Sequence, residues 1–395
     1  MKVFNSEWFK RLEKEGRLPQ VTLGIKPLSG GRVITIDKFT AYNFSSSIVV
    51  PIDAFSFSFV YPDDDLSFNA YVRSGDIATL YADNIVVCTG IIDTIEVEVD
   101  GSDAERVTVT GRDMLSQLED NAAISIDKKP IYGDNLSVEQ SAKLLIAGTR
   151  IKEVSLSDAP KEKTLLSTAL GESRLSALLR HCEPVNALFW SDPYGNLVVG
   201  RPAFNSQPSG VIQCSRKKRK SNVLSIRSTE GATSIPNRLC VLWSDLQITG
   251  KGLPDTQIFP NKALGPSRLR EAGHHVIKCI SISLPDGASP QGLAATAVFQ
   301  AADAAGSTVL QAAAKRELAR ANFNEHLLQA VVPGHFNENG ELYLPNTVYN
   351  IEFDRANIDE KMFLYSVEWN LTSERGSFSV LSFCNLNTIV SDAAV

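Results

Sequence analysis

The stretch Ile92 to Thr110 constrains the fold more than any other. Ile95, Val97 and Val99 alternate with Glu96 and Glu98, a polar turn holding Gly101 follows, and Val107 and Val109 then alternate with threonines. Side chains of a strand point in turn to its two faces, so each arm has one apolar and one wet face, and the stretch predicts a β-hairpin. The pattern returns near the other end of the sequence. Thr94-Ile95-Glu96-Val97-Glu98-Val99 lines up with Ser366-Val367-Glu368-Trp369-Asn370-Leu371, each followed by an acidic, glycine-containing turn and a second alternating arm. Upstream, Gly75 to Tyr81 matches Pro345 to Ile351 as turn followed by strand. Unrelated strands converge on alternation in any β-protein, and no run of identity exceeds a residue or two. Retention of order and spacing favours one β-unit written twice, with Ile95, Glu96 and Val97 corresponding to Val367, Glu368 and Trp369.

A chain of 395 residues exceeds what one hydrophobic core usually supports, so two to four domains are expected. The net charge of -6 argues against a protein that coats nucleic acid, because such surfaces need clustered Lys and Arg. Cys88, Cys182, Cys214, Cys240, Cys279 and Cys384 are scattered without a Cys-x-x-Cys pair and read as small buried hydrophobes in a reducing compartment. Charged residues from Glu7 to Glu15 leave no room for an apolar export signal. The longest apolar runs elsewhere are strand-sized, so no stable membrane insertion is expected.

The fold class expected is mainly β with α+β insertions: two similar antiparallel β-barrel-like domains, a small α/β module and a helical insertion. Residues 1–20 form an N-terminal helical segment in which Trp8 and Phe9 share a side with Leu12 and either fold back or dock on a neighbour. Residues 21–125 make the first barrel, completed by 202–234, and the strict alternation Phe55-Ser56-Phe57-Ser58-Phe59 is its plainest strand. Gly111-Arg112-Asp113 closes its hairpin as a structural corner, with Gly111 relaxing the backbone and Asp113 capping a short helix that turns Leu115 and Leu118 inward. Residues 126–201 make the inserted α/β module. A capping box at Ser137 and Gln140 opens one helix, Leu175, Leu178, Leu179 and Cys182 mark a second, and Phe189 to Val199 predicts a hairpin. Residues 235–290 and 327–390 make the second barrel, interrupted by a helical insertion at 291–326 with a capping box at Thr308 and Gln311.

Chemistry is sparse. Five histidines give no triad, zincin or phosphate-loop signature, and His274-His275 with Cys279 would spread over both faces of a strand. Asp63-Asp64-Asp65 lacks the alternating spacing and glycine of a calcium loop and reads as a solvated turn. No catalytic residue, metal site or cofactor is expected. The one basic cluster, Arg216-Lys217-Lys218-Arg219-Lys220, lacks interleaved aromatics and reads as an exposed loop or as a contact for an acidic protein partner.

Val107 to Leu118, a strand running through Gly-Arg-Asp into a short helix, resembles the signature of the baseplate hub proteins of contractile-tailed phages. This is the Mu-type tail protein and late control protein D family, related to the hub part of VgrG spikes. Phe189 to Val199 resembles that family's aromatic hairpin, and Val332 to His335 with Leu344 to Thr347 resembles its closing region. The resemblance covers about Val21 to Phe383, and neither the N-terminal helix nor the basic run belongs to it. It implies a homotrimer in the tail baseplate of a virion, assembled in the host bacterial cytoplasm. Two barrel-like domains per subunit would give six similar units facing a hexameric tail tube protein and three-fold symmetry facing a trimeric central spike protein. Other baseplate proteins are implied partners, and DNA is passing cargo. Glu96 and Glu98, or Glu368 and Asn370, would line that channel or meet neighbours. Two other readings stay open: the hub of a type VI secretion or other injection-system spike, and a tail-associated cell-wall hydrolase, for which no paired-carboxylate constellation can be placed.

Overall fold

The computed structural model describes residues 20–61, 72–99, 105–125, 129–161, 163–182, 185, 187–216, 220–230, 238–243, 255–260, 277–282, 323 and 326–386. The fold is mainly β, with three helices among the described residues. The chain divides into two compact units, one comprising Met1–Cys182, Ala187–Arg227 and Leu328–Phe383, the other Glu183–Asn186, Ser228–Leu327 and Cys384–Val395.

The first seven strands are β1 (Val21–Lys26), β2 (Ile34–Ile36), β3 (Ala41–Ser47), β4 (Ala54–Tyr61), β5 (Ile77–Ala82), β6 (Ile85–Val99) and β7 (Glu105–Asp113). Then come α1 (Ser116–Asp120), β8 (Tyr132–Ser137), α2 (Val138–Ile146), β9 (Val154–Ser157), β10 (Lys163–Ser167), α3 (Arg174–Cys182), β11 (Leu188–Ser191) and β12 (Leu197–Gly200). The chain continues through β13 (Gly210–Ser215), β14 (Lys220–Ser221), β15 (Ser225–Glu230), β16 (Arg238–Trp243), β17 (Asp255–Pro260) and β18 (Ile277–Ile282). It ends with β19 (His326–Pro333), β20 (Thr347–Phe353), β21 (Ile358–Thr372) and β22 (Gly376–Asn385).

Fourteen of these strands join in one sheet, and their order is written twice. In the first series β2, β1, β5, β6, β7, β4 and β3 are successive neighbours; in the second the order is β14, β13, β20, β21, β22, β19 and β15. The first strand of each series pairs with its fifth, the third with its fourth, the fourth with its seventh, and the long sixth strand with both fifth and seventh. The sixth strands, β6 and β21, are each 15 residues long. One pairing differs in sense: β1 meets β5 antiparallel, whereas β13 meets β20 parallel. The stretch 202–234, expected to complete the first barrel, instead supplies β13, β14 and β15 to the second series. Likewise β16, β17 and β18, expected in the second barrel, form a separate three-stranded sheet. Local alternation gives a strand its faces, while its partner depends on distant residues.

Phe55, Phe57 and Phe59 point inward from β4 as their spacing predicts, and they belong to one apolar cluster with Leu23, Phe44, Val109, Trp369 and Phe383. Between the two series, β8 pairs with β10, and β9, β12 and β11 make a three-stranded sheet; α2 packs against β8 and β9, and α3 against β10 and α2. Both halves of the capping box at Ser137 and Gln140 are made. The buried stripe of α3 is Ala177, Leu178, His181 and Cys182, while Leu179 faces out: small Ala177 takes the inward place expected of the bulkier leucine. The capping box at Thr308 and the helix expected before residue 20 lie outside the described residues.

Candidate functional site

The corner after the first hairpin comes from a bulge. β6 and β7 pair from Gly90 opposite Asp113 to Val99 opposite Glu105, with a register shift between Ile92 and Thr94 that leaves Asp93 as the extra residue and bends the strand. Arg112 grips Asp93 with two hydrogen bonds, Nε to Oδ2 at 2.8 Å and Nη2 to Oδ1 at 3.2 Å. Its guanidinium also donates to Glu119 and Asp120 of α1, each at 3.0 Å. The hydrogen bond to Asp93 is the main cause of a pKa raised above the ordinary arginine value. Water reaches all four groups, so the cluster adds little net stability, and its effect is to fix where α1 leaves the bulge.

Arg112 and Asp113 leave the strand on opposite faces, so they do not act as a pair. Asp113 points into the interior, where its Oδ1 accepts from the Leu115 N–H at 3.0 Å and its backbone oxygen accepts from Ser116 Oγ at 2.7 Å. The helix N-cap is therefore Leu115 rather than Asp113, and Asp113 makes an aspartate turn two residues earlier. Leu115 and Leu118 are fully buried, as expected. Gly111 serves closeness rather than backbone freedom: a Cβ there would strike the Ile91 carbonyl oxygen and the Phe55 ring.

Beneath this corner lie two acids and a thiol. The Asp113 N–H donates to the Asp53 carbonyl oxygen at 3.0 Å, and Asp53 Oδ1 accepts from the Ser47 N–H at 3.3 Å. Burial pushes the Asp53 carboxyl up to about 7 and Asp113 well above the carboxylate range, with the charge of Asp53 adding to the effect on Asp113. Burial and both acids raise the Cys88 thiol as well. A thiol held protonated is a poor nucleophile, so the group reads as a buried structural joint.

The corresponding place on β21 is built differently. Ser366 to Leu371 pair antiparallel with β3, from Ser366 opposite Ser47 to Leu371 opposite Tyr42. Trp369 is fully buried, packs edge-on against Phe44 at 5.5 Å, stacks on His335 at 4.7 Å and donates its Nε1–H to the Tyr343 oxygen at 3.2 Å. His335 Nε2 lies 2.6 Å from the Tyr42 hydroxyl and 2.9 Å from Ser377 Oγ, and Nδ1 lies 2.8 Å from Ser379 Oγ. Ser379 donates to the Gly334 oxygen at 2.7 Å, so it accepts from Nδ1–H and leaves Nε2 as the acceptor. Burial pushes His335 down to about 3, which keeps the ring neutral. A histidine between serines and a tyrosine has the donor set of a base and nucleophile, yet Ser379 is buried and its proton is already committed.

Glu96 and Glu368 are exposed on β6 and β21, Ile95 is half-buried and Val367 is buried. Arg216 and Lys220, the two ends of the basic run, are exposed, while Lys217, Lys218 and Arg219 lie outside the described residues, as do Trp8 and Phe9. Beyond the basic run, β15 begins at Ser225. Among the described residues no group of three or more His, Cys, Asp or Glu could hold a metal ion, and no helix is long and apolar enough to cross a membrane. Asp53 and Tyr42 carry no local motif, and His335, though it ends the Val332 to His335 stretch, takes its role from distant partners.

Residues 28–113 match the family described as Mu phage baseplate assembly protein GpP-like, N-terminal. No curated protein matches the chain by sequence. A tail protein from Neisseria meningitidis MC58 is similar in structure with a TM-score of 0.70 at 22% identity, covering 93% of this chain and 98% of that one. The 43 kDa tail protein of prophage MuSo2 from Shewanella oneidensis is similar with a TM-score of 0.71 at 18% identity, covering 94% and 99%. An E. coli component of the type VI secretion system is similar with a TM-score of 0.54 at 9% identity, covering 92% and 76%. The chain thus has the fold of Mu-type phage tail proteins, and its first strand series, over residues 28–113, matches the first domain of the GpP-like baseplate family.

Proposed function

We propose that this chain is a structural, non-enzymatic hub of a contractile phage tail baseplate, a homotrimer that adapts a hexameric tail tube to a trimeric central spike. The observation that carries the reading is the doubled strand order, which gives each chain two similar units within one sheet. Three such chains would present six similar faces on one side and three-fold symmetry on the other. With -6 net charge per chain, the ring would offer DNA a passage that repels rather than binds it. The protein would belong to the virion, assembled in the host cytoplasm, with tube, spike and other baseplate proteins as partners. The fold it shares with the E. coli secretion component favours one second reading, a hub in an injection machine that passes no DNA.

Electron microscopy of particles carrying an epitope tag on this chain tests the proposal. Label is expected at the tail end, where tube meets spike. Intact, infectious tails free of label there would contradict it.

A further inference from the structure

The two series differ at one edge. In the second, the outer half of β21 is covered on the side away from β22 by β3, which belongs to the first series. In the first, the corresponding half of β6, Thr94 to Val99, pairs with β7 on one side, and no described strand pairs with it on the other. Exposure follows the pairing. Trp369 is 0% exposed, whereas Val97 at the same place in β6 is 39% exposed and Val99 is 61% exposed. An open strand edge carrying uncovered valines templates another strand.

A strand that fits this edge exists elsewhere in the chain. β15 holds in the second series the place that β3 holds in the first, and among the described strands it pairs with β19 alone. We propose that the outer half of β6 pairs antiparallel with β15 of a second copy of this chain, repeating between chains the junction that β21 and β3 make within one. Charge fits the match. Glu96 and Glu98 are exposed on β6, and Arg227 is exposed in the middle of β15. The same polar face of the existing junction carries the Asn43 amide donating to Asn370 at 2.9 Å. Opposite charges on neighbouring strands favour pairing, and like charges oppose it. The contact is head-to-tail and generates a ring, so its closure after three copies rests on the trimeric reading above.

Hydrogen exchange of the full chain, compared between dilute and assembled samples, tests this directly. Amides in 94–99 and 225–230 are expected to slow at least roughly tenfold on assembly, while those in 366–371, already paired, stay as they were. Arg227→Glu is expected to raise the concentration for half-assembly roughly tenfold across the ring, and adding Glu96→Lys and Glu98→Lys should reverse most of that rise. A trimer whose 94–99 amides exchange as fast as in the monomer, or which is indifferent to Arg227→Glu, overturns the edge pairing and leaves the trimer standing. A chain that stays monomeric at every concentration overturns the trimer and the pairing with it.

Discussion

Trp369→Ala is expected to destabilise the chain by about 3–5 kcal/mol in denaturant titration, whereas Val97→Ala at the corresponding place costs under about 1 kcal/mol. The indole is fully buried between Phe44 and the His335 ring, and its N–H is satisfied by the Tyr343 oxygen. Removing it loses the transfer free energy of a large aromatic, opens a cavity in a close-packed junction and leaves the Tyr343 oxygen without that donor. It also strips the stacking partner from a histidine that holds Tyr42 of β3 and Ser377 and Ser379 of β22. Val97 has no such surroundings in the single chain. Equal losses at the two places would contradict the difference between the covered and uncovered strand.

The second large effect follows pH. Asp53 and Asp113 have folded-state pKa values above those of an unfolded aspartate near 3.9, because burial penalises the charged forms. Groups shifted upward contribute stability that is whole below the unfolded value and is lost as pH rises through the folded one, about 7 for Asp53. Raising pH from about 5 to 8 is therefore expected to cost about 1–3 kcal/mol, seen as a falling Tm. Asp113→Asn keeps an oxygen for the Leu115 N–H, removes one of the two charges and should flatten much of this slope. A Tm that rises over that range, or a slope untouched by Asp113→Asn, would show that the acids are not held neutral by burial.

Some of this was legible in the residues alone. Alternation at Phe55 to Phe59 marked a strand with one buried face, and the capping box at Ser137 is a local device readable over four residues. The repeat itself was legible because order and spacing survive where identity does not. Partner choice was not: the faces of β15 follow from its own residues, but its pairing with β19 is set about a hundred residues away. The demand for glycine at 111 is not local, since the Phe55 ring and the Ile91 oxygen that exclude a side chain come from other strands. Asp53 stands in no pattern, and the Val332 to His335 stretch marked a closing region without giving His335 a role, since the character of both comes from burial beside Asp113 and Trp369.

The central claim is that one chain with two like strand series lets three molecules stand in for six. Sedimentation equilibrium across a wide concentration range tests it most directly. The account predicts a species of three times 43.1 kDa with no stable dimer on the way to larger forms. A stable two-fold dimer, or a monomer at every concentration, would contradict it.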